Sequence, residues 1–305
     1  MIASSDDRER GNLVAIAAMV GSQAVFTVND TLMKLAARDM PGGQAIFIRS
    51  LLLCVLAGLI GYVMGAFRRC PERRHWPLLG LRSIGDVGAT FLYLAALFNM
   101  PIADATAILQ FLPLAITAGA ALFLGEPVGW RRWLAAAVGL VGVLIIIRPG
   151  TSAFNIWSLV ALAAVAAIVL RDLSTRRVDK GIPTILLTAI SGASLSVASC
   201  AFALTETWRL PSPSGLAMLT GATLFVLAGY YLIIEAMRRG EVAVVSPFRY
   251  SVILWAILAG MTVFGEKPDP IALLGTAVVM AAGLYTFFRE RQLALRKAAR
   301  EGIHE

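Results

Sequence analysis

Ten stretches of roughly 20 apolar residues each constrain this chain more than any other feature, because a bilayer core about 30 Å thick needs about 20 such residues per helix. They run over 13–35, 44–67, 76–98, 101–124, 130–148, 155–178, 183–206, 213–236, 242–264 and 270–289. Helix-stopping residues separate them: Pro41-Gly42-Gly43, Pro71, Pro101, Pro127, Pro149-Gly150, Gly181-Ile182-Pro183, Pro211-Ser212-Pro213, Gly240 and Pro268-Asp269-Pro270. Of the 305 residues, 58% are hydrophobic and 15% charged, an imbalance no soluble core of this size absorbs. The reading is an all-α polytopic membrane protein.

Orientation follows from the cations. With the N-terminus inside, eighteen Lys and Arg residues fall in cytoplasmic segments and four (Arg38, Arg148, Arg209 and Lys267) in the opposite loops. Positive charge stays on the cytoplasmic side, so the helix number is even and both termini are cytoplasmic, in the inner membrane. The polar start, MIASSDDRERGN, reads as an uncleaved cytosolic tail over 1–12. The basic tail over 290–305 is expected to meet anionic lipid headgroups. The formal net charge of +8 thus reports topology, and no nucleic-acid partner is implied. Three cysteines (Cys54, Cys70, Cys200) and two histidines (His75, His304) supply no metal-ligand spacing and no disulfide framework. No cofactor is expected.

The chain also repeats itself. A shift of 140 residues lays Ala103–Glu126 beside Ala243–Glu266, so that Gly125-Glu126 pairs with Gly265-Glu266 and Gln110 with Tyr250. A shift of 142 lays Asp30 and Lys34 on Asp172 and Arg176. The halves, 13–148 and 149–289, hold five spans each. Five is odd, so the halves enter the membrane from opposite sides, as a 5+5 inverted-topology repeat whose site lies near the midplane between them.

The ten-helix layout, the duplication and the Gly-Glu ending of the fourth and ninth spans resemble the EamA group of the drug/metabolite transporter superfamily, from Leu13 to Phe288. The resemblance implies exporters of amino acids and other metabolites, importers of S-adenosylmethionine, or riboflavin transporters. The run Phe26-Thr27-Val28-Asn29-Asp30-Thr31-Leu32-Met33-Lys34 is most similar to the riboflavin branch. A homodimer face on the fifth and tenth spans is likewise implied by the resemblance.

Ten ionisable residues lie in or at the ends of spans: Asp30, Lys34, Arg49, Arg82, Asp86, Asp104, Arg171, Asp172, Glu235 and Arg249. Each costs roughly 2.5–3.5 kcal/mol at bilayer centre unless it is paired or wet. The set is balanced, five of each sign, and sorts into an outer layer and an inner layer expected to act as alternating gates. The gating and proton-coupling candidates are Asp30, Lys34, Arg82, Asp86 and Asp172, with Asp30–Lys34 and Arg82–Asp86 sharing a helix face at i, i+4. Static interhelical bonding is the competing role for these charges. The substrate-binding candidates are Phe26, Arg49, Tyr93, Gln110, Tyr230, Arg249, Tyr250 and Trp255. Aromatic rings offer a stacking face and Tyr or Trp one hydrogen bond, and Arg a planar fork. Pro113 and Pro247 each remove a backbone bond within a span. Glu126 and Glu266 read as structural turn-fixers, with Arg131 or Arg132 as the partner expected for Glu126.

The function expected is secondary transport of a small polar organic metabolite by alternating access, with a proton or another ion as coupling partner. Riboflavin is the first substrate candidate, with S-adenosylmethionine or an amino acid as alternatives. No Walker-type loop is present to use ATP. A polytopic membrane enzyme or a channel are the non-transport alternatives: the first lacks an acid–His dyad, and the mixed-sign interior opposes the second.

Overall fold

Hydrocarbon offers no partner to a backbone N–H or C=O, so an apolar run must close its own bonds as a helix. The computed structural model describes residues 5–66, 73–126, 128–178, 182–239 and 242–301, and every regular element among them is helical. The stop signals Pro71, Pro127, Gly181 and Gly240, the cations Arg68, Arg69 and Lys180, and Cys70 and His304 lie outside the described residues. So do the tail side chains of Arg291, Arg296, Lys297 and Arg300.

The elements are α1 (Ser5–Asp39), α2 (Gly42–Val63), α3 (Trp76–Asn99), α4 (Ile102–Leu109), α5 (Leu112–Leu124), α6 (Trp130–Ile147), α7 (Ile156–Arg177), α8 (Thr184–Cys200), α9 (Pro213–Arg239), α10 (Val242–Val245), α11 (Val252–Ala259) and α12 (Pro270–Glu301). Among the described residues, nine helical stretches are long and apolar enough to cross a membrane; α8, also apolar, is shorter. The seventh expected stretch, 183–206, is thus α8 followed by a 3-10 turn, Ala201–Leu204.

Two prolines interrupt two spans where they were expected to. The fourth span breaks between α4 and α5, with Pro113 in the first turn of α5, the position where a missing N–H costs nothing. In the ninth, Pro247 opens a 3-10 segment, Ser246–Ser251, that leads into α11. Both spans then end alike. Gly125 and Gly265 take left-handed φ of 67° and 65°, a conformation only glycine adopts without a Cβ clash. The N–H of Glu126 then donates to Ala120 O at 3.3 Å, and that of Glu266 to Gly260 O at 2.9 Å, so the two ends close in the same way. The Gly-Glu pairing in the sequence is therefore a backbone motif, with glycine as the residue that makes it.

Contacts divide the chain into two compact units, each drawing on both sequence halves. Unit 1 takes 1–27, 106–154 and 227–305; unit 2 takes 28–105 and 155–226. Within unit 2, α2 lies along α8, and α3 lies along α7 and touches α8. Within unit 1, α6 lies along α12 and α5 touches both. A small-residue face makes the α6–α12 approach possible. A Cβ on Gly142 would stand 2.9 Å from Gly275 O, and one on Gly275 would stand 2.6 Å from Gly142 O. Close backbone approach of this kind is how helices associate where lipid removes the hydrophobic drive. The opposite side of α6 exposes Leu134, Val138, Val141 and Leu144.

Polar side chains inside the helices are largely self-satisfied. Thr27, Ser174, Ser196, Ser199, Thr223, Thr276 and Thr286 each donate to the carbonyl four residues back, at 2.6–3.0 Å. One ion pair closes unit 1 at a loop. Arg148, which caps α6 in a left-handed conformation (φ 51°), pairs with Asp269 just before α12. The guanidinium, together with the Ile271 N–H, holds the Asp269 carboxyl below the usual aspartate range.

Two measurements test these contacts. Gly142→Val forces α6 away from α12 and should lower the unfolding midpoint in detergent by an amount equivalent to about 1–3 kcal/mol. Gly58→Ala, in α2 where a Cβ meets nothing within 4 Å, should leave the midpoint unchanged or raise it. Asp269→Asn should lower stability slightly at neutral pH. Because the native carboxyl titrates below its unfolded value of about 3.9, the difference from the parent protein should shrink as pH falls through the native value and disappear below it.

Candidate functional site

An ionised side chain within a span needs a partner or water, and in unit 2 the partners are found across helices. Asp30 in α1 accepts a hydrogen bond from the Tyr93 hydroxyl of α3 at 2.6 Å and from the Asn29 amide at 2.8 Å. Arg49 of α2 adds a favourable charge interaction to the same carboxylate. Lys34, one turn further along α1, donates to the Met100 carbonyl at 2.6 Å, capping the end of α3. This group joins Asp30, Arg49 and Tyr93, three of the residues expected to matter.

A second group sits on α3 and α7. Asp86, 7% exposed, faces Arg171 of α7 at 3.4 Å, and the Arg171 Nε donates to Asp172 at 2.9 Å. One turn before Asp86, Arg82 donates to the Ser191 hydroxyl of α8 at 2.9 Å. The i, i+4 spacing places Asp30 with Lys34 on one face of α1 and Arg82 with Asp86 on one face of α3. The bonds seen instead tie α1 to α3, α3 to α7 and α3 to α8. Extended side chains reach a neighbouring helix as readily as the next turn of their own, and a cross-helix partner also fills the space between helices.

Unit 1 holds the remaining candidates. Phe26 and Tyr230 meet edge to face with centroids 5.5 Å apart, an arrangement aromatic quadrupoles favour. Gln110, at the α4–α5 break, returns its amide to Thr106 O of its own helix at 3.3 Å. Tyr250 is buried on the 3-10 segment against Gly283 of α12, whereas Arg249 beside it is exposed. Trp255 lies one turn after Ser251, and the indole Nε1 and the Ser251 Oγ are both buried without a hydrogen-bond partner among the described residues. Glu235 pairs with Arg239 at 2.6 Å at the exposed end of α9.

Three features had no signal in residue spacing. Glu206 follows the 3-10 turn after α8 and accepts from Gly43 N–H of α2 and from Trp208 Nε1. Ser251 is an ordinary serine in an apolar run. Arg148 and Asp269 lie 121 positions apart, and only the approach of α6 to α12 makes them neighbours. Among the described residues no group of three or more His, Cys, Asp or Glu side chains is placed to hold a metal ion.

Long apolar helices, ionised side chains tied across helices and two spans with matching capped ends are features of a multi-pass membrane protein. The EamA-like transporter family matches twice, over 11–148 and 155–288. The chain belongs to this family. It is therefore a multi-pass membrane protein of the drug/metabolite transporter superfamily, and its relatives are named as transporters. An S-adenosylmethionine uptake transporter of Rickettsia felis is 27% identical over 207 residues, 65% of this chain and 67% of that protein. A riboflavin transporter of Rhizobium johnstonii is 30% identical over 207 residues, 65% of this chain and 66% of that protein. The pseudopaline exporter CntI of Pseudomonas aeruginosa is 26% identical over 265 residues, 84% and 90% of the two chains. A solved crystal structure, 18% identical, superposes with a TM-score of 0.60 over 90% of this chain and 96% of its own, and so shares the fold.

A double-mutant cycle tests the α3–α7 pair. Asp86→Ala should destabilise the EamA-like protein more than Asp172→Ala, because Asp86 is the more deeply buried partner of Arg171. Unfolding midpoints of Asp86→Ala, Arg171→Ala and the double variant should give a coupling of about 0.5–3 kcal/mol.

Proposed function

We propose that this EamA-like protein is a secondary transporter that moves a small planar polar metabolite through the inner membrane by alternating access. Ten spans arranged as a 5+5 inverted repeat, 13–148 and 149–289, with both termini cytoplasmic, are the architecture that goes with this reading. The twin Gly-Glu caps and the two family matches support the repeat, and the excess of Lys and Arg in one set of loops supports the orientation.

The observation that carries the proposal is the carboxylate of Asp30, held inside a span by Tyr93 and Asn29 within reach of the Arg49 charge. A carboxylate inside a span is costly unless it is paired or wet, and one held by neutral donors can change its partners during a transport cycle. Parting Tyr93 from Asp30 exposes the carboxylate to water and to protonation, which links the state of the gate to a proton. The Asp86–Arg171–Asp172 group acts as the second gate, closed when the first is open. Among the substrate-binding candidates, Phe26, Tyr93, Tyr230, Tyr250 and Trp255 provide faces for a flat ring system, and Arg49, Gln110 and Arg249 its polar contacts.

Riboflavin is the first candidate solute, since it is flat, polar and neutral; the relative from Rhizobium johnstonii carries it by name. S-adenosylmethionine, the named solute of the Rickettsia felis relative, also contains a planar ring and is the second candidate. Uptake of labelled riboflavin and labelled S-adenosylmethionine by proteoliposomes containing the full chain decides between them. Saturable riboflavin uptake that rises with an imposed proton gradient is expected. Asp30→Asn should reduce that uptake roughly tenfold or more, the worth of a hydrogen bond to a charged group, and should abolish its pH dependence. Uptake unchanged in Asp30→Asn would remove Asp30 from the coupling step, and uptake of neither compound would reject the planar-solute reading.

A further inference from the structure

At the end of unit 2 where α3 finishes and α2 begins lies an open cleft of about 520 Å³, within the size range of small-molecule sites. Its walls include the rings of Phe91, Phe98 and Phe202, and its charged group is Glu206.

The setting of Glu206 is unusual for an acid at a helix end. Its Oε1 accepts from the Gly43 N–H at 3.1 Å and its Oε2 from the Trp208 Nε1–H at 3.2 Å. Both donors are neutral. They orient the carboxylate and leave its charge in place, and no Lys, Arg or His side chain among the described residues pairs with it. Arg209, three residues on, contributes its backbone to the junction: its N–H donates to the Gln44 side chain at 3.1 Å and its carbonyl accepts from the same side chain. Trp208 packs on Phe47 with centroids 5.1 Å apart, which fixes the indole that holds Glu206. The arrangement needs glycine at 43, where a Cβ would stand 2.6 Å from Phe202 Cβ and 2.7 Å from the Glu206 carboxylate.

The remaining lining selects the kind of cation. Phe91 and Phe202 are nearly parallel, 12° apart with centroids at 4.8 Å, so the pair forms a stack that a third ring extends. Phenyl rings also attract positive charge through their quadrupoles. Asn99 gives its amide N–H to Ala95 O at 2.8 Å, and its carbonyl oxygen has no partner among the described residues. A hard metal ion needs six or more oxygen ligands, which one carboxylate and one amide among phenyl rings do not supply.

We propose that this cleft binds a monovalent organic cation with a flat apolar body, the charge set against Glu206 and the ring against Phe91 and Phe202. The inference goes beyond the transport reading. It concerns equilibrium binding at one end of unit 2 and holds whichever solute the protein moves.

The test uses the full chain in zwitterionic lipid nanodiscs and titrates N-methylquinolinium against quinoline, its uncharged counterpart at neutral pH, by calorimetry. The parent protein should bind the cation roughly tenfold more tightly than quinoline, as a cation–π contact and a charge contact together predict. Glu206→Gln should bring the two affinities together while leaving quinoline binding unchanged. Phe202→Ala should weaken both probes. Equal affinity of the parent protein for the two compounds would overturn the proposal, as would a cation preference that survives Glu206→Gln. Because no transport is measured, failure here is separable from failure of riboflavin uptake.

Discussion

Hydrocarbon supplies no hydrogen-bond partner, and the rest of this structure answers to that one constraint. Backbone groups meet it by forming helix, which is why every regular element among the described residues is helical. Serine and threonine hydroxyls meet it by turning back to carbonyls of their own helix. Several charged groups reach across to neighbouring helices, Asp30 to Tyr93, Asp86 to Arg171 and Arg82 to Ser191, while Arg171–Asp172 and Glu235–Arg239 pair within one helix. In unit 2 these residues therefore tie α1 to α3, α3 to α7 and α3 to α8, while α2 lies along α8 through small residues, with Gly192 against Cys54 and Ser196 bonded to Ser50.

Where the helix is interrupted, backbone groups and side chains become available for other partners. The break between α4 and α5, the 3-10 segment before α11 and the 3-10 turn after α8 carry, respectively, Gln110, the buried Tyr250 beside Arg249, and the chain that leads to Glu206. Proline produces the first two interruptions. The third holds no proline; beyond it Glu206 accepts from the Gly43 N–H at the α2 terminus.

The extent of the spans was legible because length and hydropathy respond to the bilayer alone, without reference to neighbours. The Gly-Glu pairs were legible as a repeat, and the structure adds that Gly125 and Gly265 carry the positive φ of the turns that Glu126 and Glu266 close through their N–H groups. Partner choice was not legible. The i, i+4 spacing of Asp30 with Lys34 and of Arg82 with Asp86 is a property of one helix, whereas Tyr93, Arg171 and Ser191 become partners only when helices pack. Glu206 escaped notice for the same reason, since its donors come from α2 and from an indole whose position depends on Phe47.

By itself, then, the sequence determined that this chain is a many-helix membrane protein, roughly which stretches are helical, and that its two halves share a plan, because these depend on local solvation and on backbone chemistry written in order along the chain. Only the tertiary structure decided that each compact unit mixes both halves, that α6 meets α12 through Gly142 and Gly275, and which base or hydroxyl answers each buried acid. Those outcomes rest on side-chain volume and reach between segments up to more than a hundred residues apart, and linear spacing holds no measure of either.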